Sequence, residues 1–254
     1  MKGRIMIKKH VITSMLLLIM FIGAELFIYQ TPSKHVKPTR AKVDEKNVIN
    51  DAYYHSLHFS NEPLPADDTK VQKQMKRILA VYHYNNLQTN ILHDKAKKWF
   101  PVIKPILALY NIPEDFKYMP LVESGLLSGT SPKGASGHWQ FMPQTARDFG
   151  LRVNATVDER HEMKKATVAA CKYLKFLHSE FDNWALAAAA YNGGEGRIKR
   201  QMARENHDNY FKMKLNHETA TYVYRLIAIK EIIENPSLHG YKDKTKTLVS
   251  QQVF

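Results

Sequence analysis

The sequence predicts a mainly α-helical protein, and three observations lead to that prediction. Apolar residues recur at helical spacing over long stretches, most clearly from Met163 to Phe181. Capping residues and prolines mark the ends of these stretches. No two segments show the alternating pattern and turn residues that are typical of paired strands. With 254 residues and 44% hydrophobic content, the chain is large enough for one sizeable core.

The amino-terminal residues have the composition of an export signal. Basic residues precede an apolar run from Val11 to Gly23, and the run resumes at Leu26 after Glu25. Residues 1–29 are therefore predicted to be a signal peptide or a retained signal anchor. A stretch of this length can just span a bilayer. We expect membrane attachment through it, or its cleavage, and in either case a domain exported to the periplasmic face of the cell envelope.

The remaining chain divides by composition. Residues 30–60 are polar and contain several prolines and lysines, which predicts a linker. Residues 61–236 hold the helical pattern and are predicted to form the functional domain with its amino-terminal helices. Residues 237–254 are predicted to be a basic tail.

Helix signals follow one another along this domain. The first half predicts a helix capped by Asp67–Thr69 and running to Tyr82, a second from Pro101, and a third from Pro113 with a kink or new start at Pro120. The second half predicts helices from Pro143 to Gly150, from Met163 to Phe181, from Trp184 to Tyr191 after a cap at Asp182 or Asn183, and a last one capped by Asn216.

Charge and cysteine content exclude several classes of protein. The formal net charge is +13, but the basic residues are scattered and no nucleic-acid-binding motif accompanies them. We expect no nucleic-acid partner and interpret the charge as solvated faces with some attraction to an anionic matrix. The single cysteine, Cys171, excludes an intrachain disulfide. The twelve histidines show no metal-ligand spacing, so no metal or cofactor is expected.

One acidic residue stands out between Tyr118 and Gly150. Glu123 closes an apolar run near a helix end, and an aromatic and amide-rich segment follows after a loop of small residues. Burial disfavours the ionised carboxylate, and the negative end of a helix acts in the same direction. A carboxylic acid that stays neutral near pH 7 can protonate a leaving group. The alternative is an ordinary surface glutamate at a helix end.

A set of short motifs supports the first interpretation. They are Glu123-Ser124, Gly137-His138-Trp139-Gln140-Phe141-Met142, Thr145-Ala146, Ala190-Tyr191-Asn192-Gly193-Gly194 and Glu218-Thr219 with Tyr222-Val223. Their order and spacing resemble the signature of the family 1 lytic transglycosylases, over roughly residues 55–235. The resemblance implies a lysozyme-like helical domain of the goose-type or SLT kind.

The resemblance also implies a reaction. A family member cleaves the β-1,4 bond between N-acetylmuramic acid and N-acetylglucosamine in the glycan strands of peptidoglycan. Glu123 would protonate the bridging oxygen, and its carboxylate would then take the proton from the C6 hydroxyl of the same sugar. Attack by that hydroxyl gives a 1,6-anhydro product without water, and an intramolecular nucleophile has an entropic advantage.

The same resemblance assigns substrate-binding positions. They are Ser124, Gln140, Met142, Tyr191, Asn192 and Glu218. All of them except Gln140 have an ordinary structural alternative: a helix-end cap for Ser124, core packing for Met142 and its aromatic neighbours Trp139 and Phe141, and helix termination for the Tyr191-Asn192 pair. Glu218 could equally stabilise the first turn of a helix.

Three questions remain open from the sequence. Glycosidases usually pair two carboxylates, and Asp148 and Asp158 are the later acids, which alone are typical of caps and surface positions. A hydrolytic lysozyme and a non-catalytic peptidoglycan-binding scaffold are therefore alternatives, while protein partners are unknown. His138 departs from the family pattern; it could titrate near neutral pH, or lie on the outer face of its segment.

Overall fold

The computed structural model describes residues 51–241, all within one compact unit of the chain, and confirms the mainly α class. The helices, in chain order, are α1 (Asp51–Ser56), α2 (Thr69–Tyr82), α3 (Tyr84–Leu87), α4 (Ile91–Leu109), α5 (Met119–Ser124), α6 (Pro143–Asp148), α7 (Met163–Phe181), α8 (Trp184–Gly193), α9 (Glu195–Glu205), α10 (His217–Ala220) and α11 (Tyr222–Glu234). Short 3₁₀ helices cover Glu114–Tyr118, Glu159–His161, Tyr210–Lys212 and Pro236–His239.

A small hairpin near the amino-terminal end corrects the expectation that no strands pair. Strand β1 (His58–Phe59) pairs antiparallel with β2 (Glu62–Pro63). Strands of two residues are too short to show an alternating pattern in the sequence. The buried ring of Phe59 lies edge-on to Phe116 at 5.1 Å between ring centroids, which fixes the hairpin on the helical core.

Helix α4 begins earlier than predicted. The sequence placed a helix start at Pro101, whereas the helix runs from Ile91 and includes both Pro101 and Pro105. Each proline removes one backbone donor from the helix. The helix continues across them because Ala96, Ile103 and Leu107 are buried on one side, and their packing offsets the lost hydrogen bonds.

Other helix signals are confirmed at their caps. Asp68 accepts hydrogen bonds from the first amides of α2, and Asn183 does the same for α8. Pro120 begins the short helix α5 anew after a 3₁₀ turn. Helix α9 was missed, because its apolar stripe consists only of the buried Ile198 and the partly buried Met202 between charged residues.

The core surrounds helix α8. Its residues from Ala185 to Ala190 are all buried, and α8 packs against α7, α9 and α11. Small side chains allow these helices to approach closely. Helix α11 packs in turn against α2 and α5. Helix α8 therefore brings its carboxyl-terminal residues next to the start of α11 and the end of α5.

Some predicted segments fall beyond what the structure describes. The predicted signal segment 1–29, most of the linker 30–60 and most of the tail 237–254 lie outside residues 51–241, and these boundaries stay predictions. Within the linker range, residues of α1 are described, and Tyr54 is buried against the core. Over residues 51–241, no helix combines the length and the apolar character that crossing a bilayer requires.

Candidate active site

Glu123 lies on the last turn of α5. Met119 and Leu121, earlier in the same helix, are buried and anchor it. This packing leaves Glu123 partly buried, and Gly125 ends the helix directly after it. The local sequence therefore places the Glu123 carboxyl group at the edge of the core, where the helix ends.

The carboxyl group of Glu123 has one close protein partner of known geometry. The hydroxyl of Tyr222, at the start of α11, donates a hydrogen bond of 2.5 Å to Glu123 Oε1. Burial raises the pKa of Glu123 to about 7, although the Tyr222 hydrogen bond acts in the opposite direction by favouring the ionised form. Burial, together with the nearby charge of Glu123, also raises the pKa of Tyr222, so the phenol remains a donor.

Two charged residues shift the pKa of Glu123 in opposite directions. The positive charge of Arg225 lowers the pKa of Glu123, and the negative charge of Glu218 raises it. The Arg225 guanidinium carbon lies 5.4 Å from the Tyr222 ring centroid. Arg225 Nη2 is also 3.5 Å from the backbone oxygen of Glu218. Burial and the balance of these two charges therefore keep the pKa of Glu123 close to 7.

The segment that faces Glu123 is fixed by Gly137 and Arg160. Gly137 has a φ of +78°, and a β-carbon there would lie 1.9 Å from the backbone oxygen of Arg160. No other residue fits such a position. Arg160 Nη1 donates to the backbone oxygens of Gly134 (2.8 Å) and Phe141 (2.9 Å). Its other nitrogens pair with Asp158. This buried arginine therefore clamps both ends of the turn.

Ser124 and Gln140 tie this segment to the helix and to the loop. The Ser124 hydroxyl lies 3.0 Å from the backbone oxygen of Pro120 and 2.9 Å from that of His138. The Gln140 amide nitrogen lies 2.8 Å from the oxygen of Gly137 and 3.1 Å from that of Gly129. The Gln140 amide oxygen has no partner among residues 51–241, so it remains available to a ligand.

The aromatic residues of the segment separate into two groups. Trp139 and Phe141 are buried, and the Trp139 indole donates to Thr167 Oγ1 at 3.0 Å. These two side chains are core residues. Met142 is 45% exposed. It is therefore the residue of the three that can touch a ligand.

Tyr191, Asn192 and Glu218 meet on the third side of the site. The Tyr191 hydroxyl donates to the backbone oxygen of Trp139 at 2.9 Å. The Asn192 amide nitrogen lies 3.4 Å from Glu218 Oε1, and its oxygen accepts from Thr219 Oγ1 at 3.1 Å. A β-carbon at Gly193 would lie 2.8 Å from the Thr219 side chain, so glycine is required for α8 and α10 to meet here.

His138 is not on the outer face of its segment, so that expectation is wrong. Its side chain is buried, and its ring centroid lies 5.4 Å from that of Trp99. Burial lowers the pKa of His138, which favours the neutral imidazole. The aromatic residue Trp99 provides this cover because α4 extends further towards the amino terminus than the sequence predicted.

The two later acids have structural partners. Asp148 is exposed and accepts a hydrogen bond from Gln144 at 2.7 Å. Asp158 caps a 3₁₀ helix and forms an ion pair with Arg160 at 2.6 Å. Neither carboxylate is brought to Glu123 by a described contact. Glu218 is the acid whose charge acts on Glu123.

Sequence reasoning missed the roles of Tyr222, Arg225 and Arg160. Tyr222 was part of the quoted motif but was not assigned to the site. Tyr222 and Arg225 lie three residues apart on α11 and so share one face. That spacing was the available signal. Nothing in the sequence around Arg160 indicates that it bonds to residues 134 and 141.

The fold and the site together define a helical domain built around one glutamic acid that is half protonated near pH 7. Residues 101–214 match the family model of the transglycosylase SLT domain. Over 188 residues the chain is 31% identical to membrane-bound lytic murein transglycosylase D of Escherichia coli K12, covering 70% of this chain. The protein of that name from strain O6:H1 gives the same values. Residues 101–214 therefore carry the transglycosylase SLT domain.

The chain is shorter than these relatives. It spans 40% of the length of the Escherichia coli protein. Among solved structures, lytic transglycosylase Slt of Pseudomonas aeruginosa, as an inactive mutant, aligns with a TM-score of 0.42 and 20% identity. That alignment covers 77% of this chain and 34% of the other. The family match confirms the predicted SLT-type helical domain.

Proposed function

We propose that this protein is a peptidoglycan lytic transglycosylase, and that Glu123 is its catalytic acid and base. The observation that carries the proposal is the position of the Glu123 carboxyl group, which lies at the end of α5 and accepts the Tyr222 hydrogen bond, at the place of the acid in the motif that resembles the family's signature. Burial there raises its pKa to about 7. At that pKa the group is protonated often enough to act as an acid and ionised often enough to act as a base. A binding scaffold has no need for such a group.

The proposed reaction uses this one group twice. Protonated Glu123 gives its proton to the oxygen between N-acetylmuramic acid and N-acetylglucosamine as the glycosidic bond breaks. The resulting carboxylate accepts the Tyr222 hydrogen bond, which stabilises its charge. It then takes the proton from the C6 hydroxyl, whose oxygen bonds to the anomeric carbon. The acid is regenerated, and the product is 1,6-anhydro-N-acetylmuramic acid.

We assign substrate contacts to Gln140, Met142, Asn192 and Glu218. The Gln140 amide oxygen has no partner among the described residues, and the Met142 side chain is exposed. Glu218 is exposed and holds the Asn192 amide nitrogen at 3.4 Å. Ser124 and Tyr191 act mainly by holding backbone oxygens in place. A fall in kcat/KM for Gln140→Ala, with an unchanged melting temperature, would support this division. No change in kcat/KM would remove Gln140 from the substrate site.

The test of function is the chemical identity of the product. Purified peptidoglycan is digested with the full-length protein or with Glu123→Gln, and the fragments are identified by mass spectrometry. Muropeptides ending in 1,6-anhydro-N-acetylmuramic acid, absent with Glu123→Gln, are expected. Reducing ends instead would show hydrolysis and point to Glu218 as the acid that holds water. Binding without cleavage would show a scaffold.

The proposed location follows from the substrate and from the amino-terminal composition. Peptidoglycan lies outside the inner membrane, and residues 1–29 have the pattern of an export signal. We therefore place the domain on the periplasmic side, attached to the membrane or released from it. Protease added to spheroplasts should digest the domain, and protection from the protease would contradict this location.

A further inference from the structure

A second concave surface lies beside the site. A cavity of about 500 Å³ is formed by the start of α2, the 3₁₀ helix Tyr210–Lys212 and the junction of α10 with α11. His217 and Thr221 line it, whereas Glu218, which carries its charge towards Glu123, does not. The cavity and the site therefore share helix α10 as a common wall.

The rim of this cavity is positively charged. Lys70 and Lys212 line it, together with His217, and all three side chains are exposed. Over residues 51–241, neither lysine has an ion pair or a side-chain hydrogen bond. The acid in the lining, Asp68, accepts from the backbone amides of Lys70 (2.8 Å) and Val71 (3.4 Å) and so caps α2. The two lysines are free to bind an anion.

The floor of the cavity is largely apolar and holds two tyrosine hydroxyls, of which that of Tyr210 donates to the backbone oxygen of Thr219 at 2.7 Å. Val71, Tyr210, Met213 and Tyr224 are buried side chains of the lining. Burial raises the pKa of Tyr224 to about 12, so its hydroxyl stays protonated at neutral pH. That hydroxyl donates to no other residue in the part of the chain that the structure describes. A ligand that combines a carboxylate with small apolar groups matches this arrangement.

We propose that this cavity binds the peptide stem of a glycan strand lying in the active site, with Lys70 and Lys212 on a stem carboxylate and Tyr224 donating to it. The inference rests on the proposed function, because such stems belong to peptidoglycan. They are attached to N-acetylmuramic acid and combine carboxylates with methyl side chains. Charge-assisted hydrogen bonds of this kind give both affinity and orientation.

The test is a binding measurement that needs no bond cleavage. A synthetic tripeptide of alanine, D-glutamate and diaminopimelate is titrated into full-length Glu123→Gln protein and followed by NMR. The Lys70→Gln/Lys212→Gln change is added to this background. Its control is Lys73→Gln/Arg77→Gln, which removes two exposed positive charges from the same helix outside the cavity. Melting curves establish that each variant is folded.

We expect the tripeptide to bind the parent and the control equally, and the cavity variant at least about tenfold more weakly. Tyr224→Phe, which removes one hydroxyl, should weaken binding by a smaller factor. Absence of saturable binding to the parent, or equal binding to the cavity variant, would overturn the proposal. So would inorganic phosphate binding as tightly as the tripeptide. If only the cleavage assay failed, the proposed function would be overturned. The binding result could still be interpreted, because it requires no bond cleavage.

Discussion

Two glutamates of this protein show how differently the same side chain behaves in two regions. Glu159, in the turn after α6, is the more buried of the two, with 5% of its side chain exposed, yet its pKa is lowered to about 2. Glu123, at the end of α5, is only partly buried, and its pKa is raised to about 7. The exposed fraction of the side chain therefore does not predict the direction of the pKa shift.

The difference lies in whether burial or hydrogen-bond partners dominate: burial is the largest influence on the pKa of Glu123, and hydrogen bonds from Arg152 and Lys165 are the largest on the pKa of Glu159. Glu159 accepts from the side chain and backbone of Arg152 and from Lys165 Nζ at 2.8 Å, so cations and an amide stabilise its charge. Glu123 receives one phenol hydrogen bond, from Tyr222. A carboxylate surrounded by donors is structural, whereas one with a single neutral donor remains a proton donor and acceptor.

The largest expected difference between the two residues is in activity. Glu123→Gln should lower kcat/KM for peptidoglycan by about a thousandfold, because the proton donor is lost. Glu159→Gln is the matched control, since it changes the same atoms in the other region. It should lower the melting temperature and leave the chemical step in place. Full activity of Glu123→Gln would contradict the assignment of Glu123 as the proton donor.

The dependence of stability on pH should run in opposite directions. Between pH 4.5 and 7 the native protein binds more protons at Glu123 than the unfolded chain, so its free energy of unfolding falls as pH rises. This loss, on the order of 3 kcal/mol, should vanish in Glu123→Gln. Glu159 contributes stability above pH 4.5 that is lost as pH falls towards 2. Urea unfolding from pH 2 to 8 measures both, and parallel curves for wild type and both variants would contradict the account.

Removing the phenol hydroxyl should have the next largest effect. Tyr222→Phe should lower kcat/KM about 10- to 100-fold, because the hydrogen bond to the carboxylate is lost. The pKa of Glu123 should rise, and the alkaline limb of the pH–rate profile should move up with it. Tyr210→Phe, which removes another buried hydroxyl that bonds to Thr219, should leave that limb unmoved. Identical profiles for both variants would count against Tyr222 as the positioning residue.

The smallest effects should come from the two flanking charges. Arg225→Gln should raise the pKa of Glu123, and Glu218→Gln should lower it, since each removes a charge of opposite sign. Shifts of about half a pH unit in the alkaline limb are expected, because both residues border solvent. Higher salt should shrink both shifts. Shifts in the same direction would show that the two residues act through packing.

The sequence was sufficient to single out Glu123 as the candidate acid, because it stands in a run of apolar residues and inside a set of short motifs. The caps of α2 at Asp68 and of α8 at Asn183 could also be predicted, since capping is a local property. The start of α4 could not be predicted, because burial against distant residues outweighed the preference of Pro101 for the first position of a helix. Helix α9 could not be predicted either, because its apolar stripe is limited to Ile198 and Met202.

The parts of the site that escaped prediction depend on distant contacts. Tyr222 lies 99 positions from Glu123 in the chain, and Arg160 reaches Phe141 across 19 positions. His138 was expected outside and is covered by Trp99 from another helix. Periodicity and capping describe neighbours along the chain, so contacts of this kind require the folded arrangement.

The most direct test is a measurement of the pKa of Glu123 itself. The full-length protein, labelled with ¹³C at glutamate side chains, is titrated by NMR, and the Glu123 signal is assigned by its absence in Glu123→Gln. We expect a midpoint near pH 7 and an upward shift in Tyr222→Phe. A midpoint near the ordinary value of 4.5 would show that the group is ionised at neutral pH. It would then lack the proton that the proposed reaction needs.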